Sequence, residues 1–256
     1  MDARYASSRR SKPPSGKLAV SKELSSTDQV VEHIAGSILS GRFVPGQWLV
    51  EGGITKSLNL SRGPVREAFR RLDALGILSC TMYRGACVRM LSRAEAIDLM
   101  VAAEGIDRMT ARLAADAVRA AKNGRRISAL KRALRPYRDR EFELASTPQL
   151  RQQFYDILIA LTGNSQLPFL FPTMRIHLLR LQTQMYRDYD SSRVDIEDFA
   201  AVARAVLEGD GRAAEKASCA HHRRIQHALS RMPAEAFAPE VGGGGTRPAP
   251  DLSGNR

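Results

Sequence analysis

Between Ile54 and Leu75 the apolar positions lie on two helical registers joined by a turn. Ile54 and Leu58 stand four apart, the chain turns through Asn59 to Ser61, and Val65, Ala68, Phe69, Leu72 and Leu75 then recur at helical spacing. This pattern predicts a short helix, a turn and a second helix that Gly76 ends. Ser61 suits an N-cap, and Pro64 fits only in the first turn, where its missing N–H would have had no partner. Upstream, Val31, Ile34 and Ile38 share a face over residues 28 to 40, with Ser26, Thr27 or Asp28 as cap, so a first helix is expected to pack beneath the second of the pair. Downstream, Ile77 to Met82 and Ala86 to Leu91 are β-prone runs around Tyr83-Arg84-Gly85, which predicts a hairpin. Between the first helix and the pair the chain turns at Pro45-Gly46, and Trp48 is expected to pack at the junction.

From Ser92 onward the period is helical throughout and nothing alternates like a strand. Ser92 with Glu95 forms a capping-box signature. Helices are expected near 93 to 119, 125 to 142, 148 to 162, 166 to 187, 193 to 208 and 211 to 231, with Pro172 either inside the fourth or marking a later start. Six helices of this length can enclose a cavity as an antiparallel bundle. Residues 1 to 26 are rich in Ser, Lys, Arg and Pro and poor in large apolar groups, so a disordered basic arm is expected there, and residues 239 to 256 read as a disordered Gly/Pro tail. The expected fold class is mainly α: an N-terminal winged helix-turn-helix over 27 to 91, then an all-α six-helix antiparallel bundle over 92 to 232.

Charge turns this outline toward a partner. The formal net charge is +12 and no apolar run approaches the roughly 18 residues a membrane span needs, so nucleic acid is expected before a membrane. With Val65, Phe69 and Leu72 facing a core, Arg62, Arg66 and Arg70 emerge on the opposite face, near the end that a helix-turn-helix presents to the major groove. Guanidiniums suit phosphates and guanine edges. Arg84-Gly85 would form the tip of a wing reaching an adjacent groove. Lys56, Ser61, Arg62, Arg66, Arg70, Arg84 and Gly85 are therefore the candidate DNA contacts. Three cysteines and no apolar leader point to a reducing cytoplasm; Cys80 and Cys87 fall on opposite hairpin arms, leaving open a redox pair or ordinary small side chains. No nucleophile and base at useful spacing, phosphate-binding loop or paired carboxylates are evident, so an enzyme is not expected.

Ile38-Leu39-Ser40-Gly41, Pro45-Gly46, Leu49, Ser61-Arg62-Gly63-Pro64-Val65-Arg66-Glu67-Ala68, Leu72, Leu75-Gly76 and Arg84-Gly85 together resemble the DNA-binding domain of GntR-type bacterial transcription regulators. The resemblance implies a winged helix that binds double-stranded operators as a homodimer, with Arg62, Arg66 and the Arg84-Gly85 tip at the positions that touch DNA. Gly63 stands where a threonine is usual, and Gly52-Gly53 loosen the helix before the turn by roughly 1 kcal/mol per glycine relative to alanine.

Residues 93 to 231, through Gly163-Asn164 and Leu207-Glu208-Gly209-Asp210, resemble the FCD effector domain of one GntR branch. Members of that branch often hold a divalent metal through an Asp and a His one turn apart plus two later His. Here those positions carry Arg151, Tyr155 and Phe199, and His221 alone is kept. No metal or other cofactor is therefore expected. Arg151, Tyr155, Phe199 and His221 would instead make a pocket for a small organic acid bound directly by the guanidinium. His222 and His227 read as part of a basic surface stripe, and His177 and His33 as structural. The function expected is a transcription regulator, a repressor as is usual in the family, controlled by that effector; the alternative is a constitutive DNA binder whose helical domain only dimerises.

Overall fold

The computed structural model describes residues 24–81, 85–120, 124–139, 148–170, 173–186 and 189–240. The expected basic arm and Gly/Pro tail lie almost wholly outside them, as does Arg84. Helix α1 (Ser26–Leu39) is capped by Ser25, whose Oγ accepts from the Asp28 N–H at 3.1 Å. The cap lies one residue before the expected candidates, because Asp28 takes a first-turn position where a carboxylate favours the positive helix end. The core face is correspondingly Val30, Ile34 and Ile38, all fully buried, with Val31 at its margin.

Helix α2 (Glu51–Leu58) ends on Asn59 in the left-handed conformation (φ 52°), and α3 (Arg62–Ala74) begins after Ser61. Val65, Ala68, Phe69 and Leu72 are buried as their spacing predicts. Gly76 (φ 68°) closes α3: its N–H donates to Asp73 O and the Ile77 N–H to Leu72 O, the double bond of a Schellman motif that needs a left-handed residue. Strands β2 (Leu78–Thr81) and β3 (Gly85–Val88) form the expected hairpin, and β1 (Trp48–Leu49) adds on the far side of β3, all antiparallel.

The register decides two open points. Trp48 lies opposite Cys87 and Leu49 opposite Ala86; since neighbours along a strand face opposite sides, Leu49 is buried and Trp48 is 47% exposed, not packed at the junction. Cys80 pairs with Ala86 and Cys87 with Ser79, so the two thiols leave opposite faces of the sheet and cannot bridge; both are free.

Ser92 and Glu95 make the reciprocal capping box (Ser92 N–H to Glu95 Oε2, 3.0 Å; Glu95 N–H to Ser92 Oγ, 3.2 Å), which starts α4 (Arg93–Ala120). Then come α5 (Arg125–Asp139), α6 (Pro148–Thr162), α7 (Leu167–Leu170), α8 (Thr173–Thr183), α9 (Tyr189–Glu208) and α10 (Gly211–Arg231). The stretch expected as the fourth helix carries α7 and α8, and Pro172, expected inside that helix or at a later start, lies outside the described residues. Leu134, Phe154, Leu158, Leu161, Phe199 and Val206 fill the core among α4, α5, α6, α9 and α10.

The two halves are joined by more than a linker. Leu178 of α8 is fully buried in the winged-helix core, and His177 Nε2 lies 3.3 Å from the Ile38 carbonyl at the end of α1. The Gln182 amide accepts from the Leu91 N–H and donates to the carbonyls of Leu91 and Ala236, all at 2.8 Å. Arg93 donates to the carbonyls of Leu229, Ser230 and Met232 while its guanidinium stacks 4.7 Å from the Phe237 ring centroid. The Ala238 N–H then returns to Leu91 O at 3.0 Å.

Candidate nucleic-acid interface and ligand cavity

Lys56 in α2, Ser61 at the turn and Arg62, Arg66 and Arg70 along α3 are all exposed, the arginines one helical turn apart on the face away from Val65, Phe69 and Leu72. Ser61 has N-cap backbone geometry but its side chain makes no capping bond. Arg66 is held: its Nε donates to both carboxylate oxygens of Glu51, at 3.0 and 2.9 Å. Arg71 turns the other way and binds Asp28 at 2.8 Å, tying α3 to α1; with the Ser25 hydroxyl first and Arg71 second, it holds the Asp28 carboxyl below its ordinary value. Gly85 has φ 92°, and a Cβ there would lie 2.5 Å from Leu49 O. Packing of β3 against β1 therefore demands glycine, a reason separate from close approach to DNA. Glu51 escaped the sequence reading because it pairs across fifteen positions, with no local spacing to betray it.

A cavity of about 1410 Å3 opens among α4, α6, α8 and α10. Arg151, Tyr155 and His221 all line it. Phe199 does not; it lies in the core behind them, its ring 6.1 Å from that of Tyr155 and 5.3 Å from that of His221, with the Arg151 guanidinium 5.6 Å from its centroid. Burial first, and the Asp107 charge second, push the Tyr155 hydroxyl well above its usual value, so it stays protonated.

His221 Nδ1 lies 2.9 Å from Asp198 Oδ2, and Asp198 also accepts from Arg224 Nε at 3.0 Å. His222 is buried rather than on a surface stripe: Nε2 contacts Asp107 Oδ2 at 2.9 Å and Nδ1 contacts the Ser218 carbonyl at 3.1 Å. Burial disfavours the charged ring, but the Asp107 bond and charge outweigh it and the pKa is raised. A carboxylate and a carbonyl both only accept, so the ring that faces them donates from both nitrogens. His177, by contrast, is pulled down by burial.

The cavity is lined by polar side chains, among them Arg108, Arg151, Tyr155, Arg180, His221 and His222 with the carboxylates of Asp107 and Glu215, and by apolar ones, Met100, Ile176, Leu179, Leu229, Met232 and, from α1, Leu39. This donor set does not fit a divalent metal. Among the described residues no three His, Cys, Asp or Glu side chains converge, a guanidinium repels a cation, and Tyr155 keeps its proton. It fits an anion with an apolar body. The sequence reading missed Asp107, Asp198, Arg180 and His222; α10's register, which turns His221 and His222 inward together, was the available signal.

A family model described as bacterial regulatory proteins, gntR family, matches residues 26–88, and one described as FCD domain matches residues 98–224. The chain is 28% identical over 225 residues, 86% of its length and 94% of the relative's, to a protein of Paenarthrobacter nicotinovorans described as a probable D-xylose utilization operon transcriptional repressor. It is 34% identical over 71 residues to an uncharacterized HTH-type transcriptional regulator of Mycobacterium tuberculosis, covering 28% of this chain and 29% of that one. Among solved structures, a GntR transcriptional regulator from Rhodococcus sp. RHA1 superposes with TM-score 0.63 at 18% identity, covering 80% of this chain and 97% of the other. E. coli McbR/YncC does so with TM-score 0.59 at 17% identity, covering 81% and 98%. At such identities the structures speak for the fold, while the two consecutive matches speak for descent: the chain belongs to the GntR family of bacterial transcription regulators, in the branch that carries an FCD domain.

Proposed function

We propose that the protein is a cytoplasmic repressor that binds a pseudo-palindromic operator as a homodimer, under the control of a small organic anion held in the helical domain. The observation that carries this reading is the double membership of α8. Ile176, His177, Leu179 and Arg180 line the cavity, while Leu178 is buried in the winged-helix core and Leu39 of α1 also lines the cavity. An occupant that shifts α8 therefore shifts the DNA-binding half, and a ligand with different affinity for two such positions changes DNA affinity by that difference. Arg151, Tyr155 and His221 would hold the carboxylate, and the apolar lining its body, with Phe199 backing the site. In this reading residues 27 to 91 bind DNA and residues 92 to 232 sense and dimerise.

The test has two arms. Full-length protein is screened by thermal shift against benzoate, succinate and D-xylonate, with D-xylose as neutral comparator because the Paenarthrobacter relative bears that sugar in its name. A binding anion raises Tm by mass action, and Arg151→Ala removes the rise; no rise with any of the acids supports a constitutive binder instead. In gel shifts Arg62→Ala and Arg66→Ala each weaken binding to duplex selected by the wild type about tenfold, and unchanged binding takes them out of the interface.

A further inference from the structure

The basic stripe expected around His222 exists on α10, but with His222 turned inward and its other members on a different face. Arg212, Lys216, Arg223, His227 and Arg231 are exposed and follow one another at one or two helical turns, so they form a single row. At a rise of about 1.5 Å per residue the row is about 28 Å long. Such a row is ordinarily a solvated face. Here every member lines the cavity, together with side chains of α4, α6 and α8.

The charges of that lining do not balance. Its acids among the described residues are already engaged: Asp107 with His222 at 2.9 Å, and Glu215 with Arg108 at 2.7 Å and Arg112 at 3.6 Å. Arg224 is held by Asp198. Arg212, Lys216, Arg223 and Arg231 form no salt bridge among the described residues. One carboxylate on Arg151 would leave all four uncompensated. The space agrees, because about 1410 Å3 exceeds the roughly 300–1,000 Å3 that holds a drug-sized ligand.

Phosphates suit the row better than further carboxylates. Each brings up to about two charges and three acceptor oxygens, which guanidiniums grip with paired donors. Duplex DNA fits less well, because the row shares its concavity with the buried side chains of Met100 and Leu229, where a duplex backbone cannot follow.

We infer that the row on α10 is a phosphate-binding wall of the cavity, and that the effector is a small organic molecule bearing two or more phosphates. Its phosphates meet Arg212, Lys216, Arg223 and Arg231, and its body meets the apolar lining. The inference rests on the effector half of the proposed function and names its ligand class.

The test titrates full-length protein calorimetrically, at fixed ionic strength and without added metal, with ATP, adenosine and the tricarboxylate tricarballylate. ATP binds, adenosine does not, and tricarballylate binds at least about tenfold more weakly than ATP. Lys216→Glu combined with Arg223→Glu lowers ATP affinity about tenfold and leaves the Tm of the free protein unchanged, and Arg212→Gln alone lowers the affinity about threefold. Arg132→Glu combined with Arg135→Glu on α5, exposed cations that do not line the cavity, makes the same change in net charge and leaves ATP affinity within about twofold of wild type. The inference is overturned if the two double reversals weaken ATP alike, if tricarballylate binds as tightly as ATP, or if adenosine binds as tightly as ATP. If benzoate, succinate or D-xylonate raises Tm while ATP does not bind, the inference falls and the proposed effector site stands. If neither the acids nor ATP bind, both fall.

Discussion

Two glycines and two histidines carry much of what individual residues decide here. Gly85→Ala meets both a left-handed backbone and a carbonyl 2.5 Å away, so it should cost more than about 1 kcal/mol. The emission of Trp48, the only tryptophan, reports it directly, because Trp48 precedes the residue whose carbonyl is struck. The histidines predict opposite pH limbs. A raised pKa at His222 gives stability that is complete below pH 6.5, the ordinary value, and lost as pH rises through the folded value. A depressed pKa at His177 gives stability that is complete above pH 6.5 and lost as pH falls through the folded value. Urea midpoints measured across pH should therefore lose their alkaline slope in His222→Gln and their acid slope in His177→Gln; a retained alkaline slope in the former would show that the Asp107 pair does not hold the proton. At this scale the sequence was readable where position alone sets a role, as at Ser92 and Gly76. It was silent where a distant partner does, as for Arg66 with Glu51 or His222 with Asp107.

Among the elements, α8 has the most to answer for. Ile176, Leu178 and Leu179 make it apolar on more than one side, which marks a buried helix but does not name its neighbours. The sequence therefore yielded a helix over this stretch without its double allegiance. Helix α3 is the contrasting case, since one apolar stripe and one basic stripe left no choice of orientation. Strand β1, at two residues, is too short for any periodicity to register, and Trp48 was misplaced with it. Leu178→Ala should cost about 2–5 kcal/mol. Because the lost contacts join α8 to the winged-helix core, calorimetry should resolve two transitions where the parent shows one, and a single shifted transition would argue that Gln182 and Arg93 suffice to hold the halves together.

As a whole the molecule combines a net positive charge, a cavity lined by both polar and apolar side chains, and a joint between its halves made of buried side chains and hydrogen bonds. No described helix is long and apolar enough to cross a membrane. That Arg151, Tyr155 and His221 would line one cavity was expected from the FCD resemblance; its apolar lining and its contact with α1 depend on how two halves dock, which no local pattern encodes. That docking is fastened from the far end of the chain. Phe237 lies under Arg93, the Ala236 carbonyl receives Gln182, and Ala238 bonds back to Leu91, all of them beyond α10. Truncation after Pro233, which keeps the cavity lining, should lower Tm and blunt any effect of a cavity occupant on DNA affinity, while the isolated affinity for that occupant changes little. A purification handle or fluorescent reporter appended past Glu240 spares the clasp, whereas a protease that nicks the chain just before Ala236 would loosen it and leave α8 to carry the coupling between the halves.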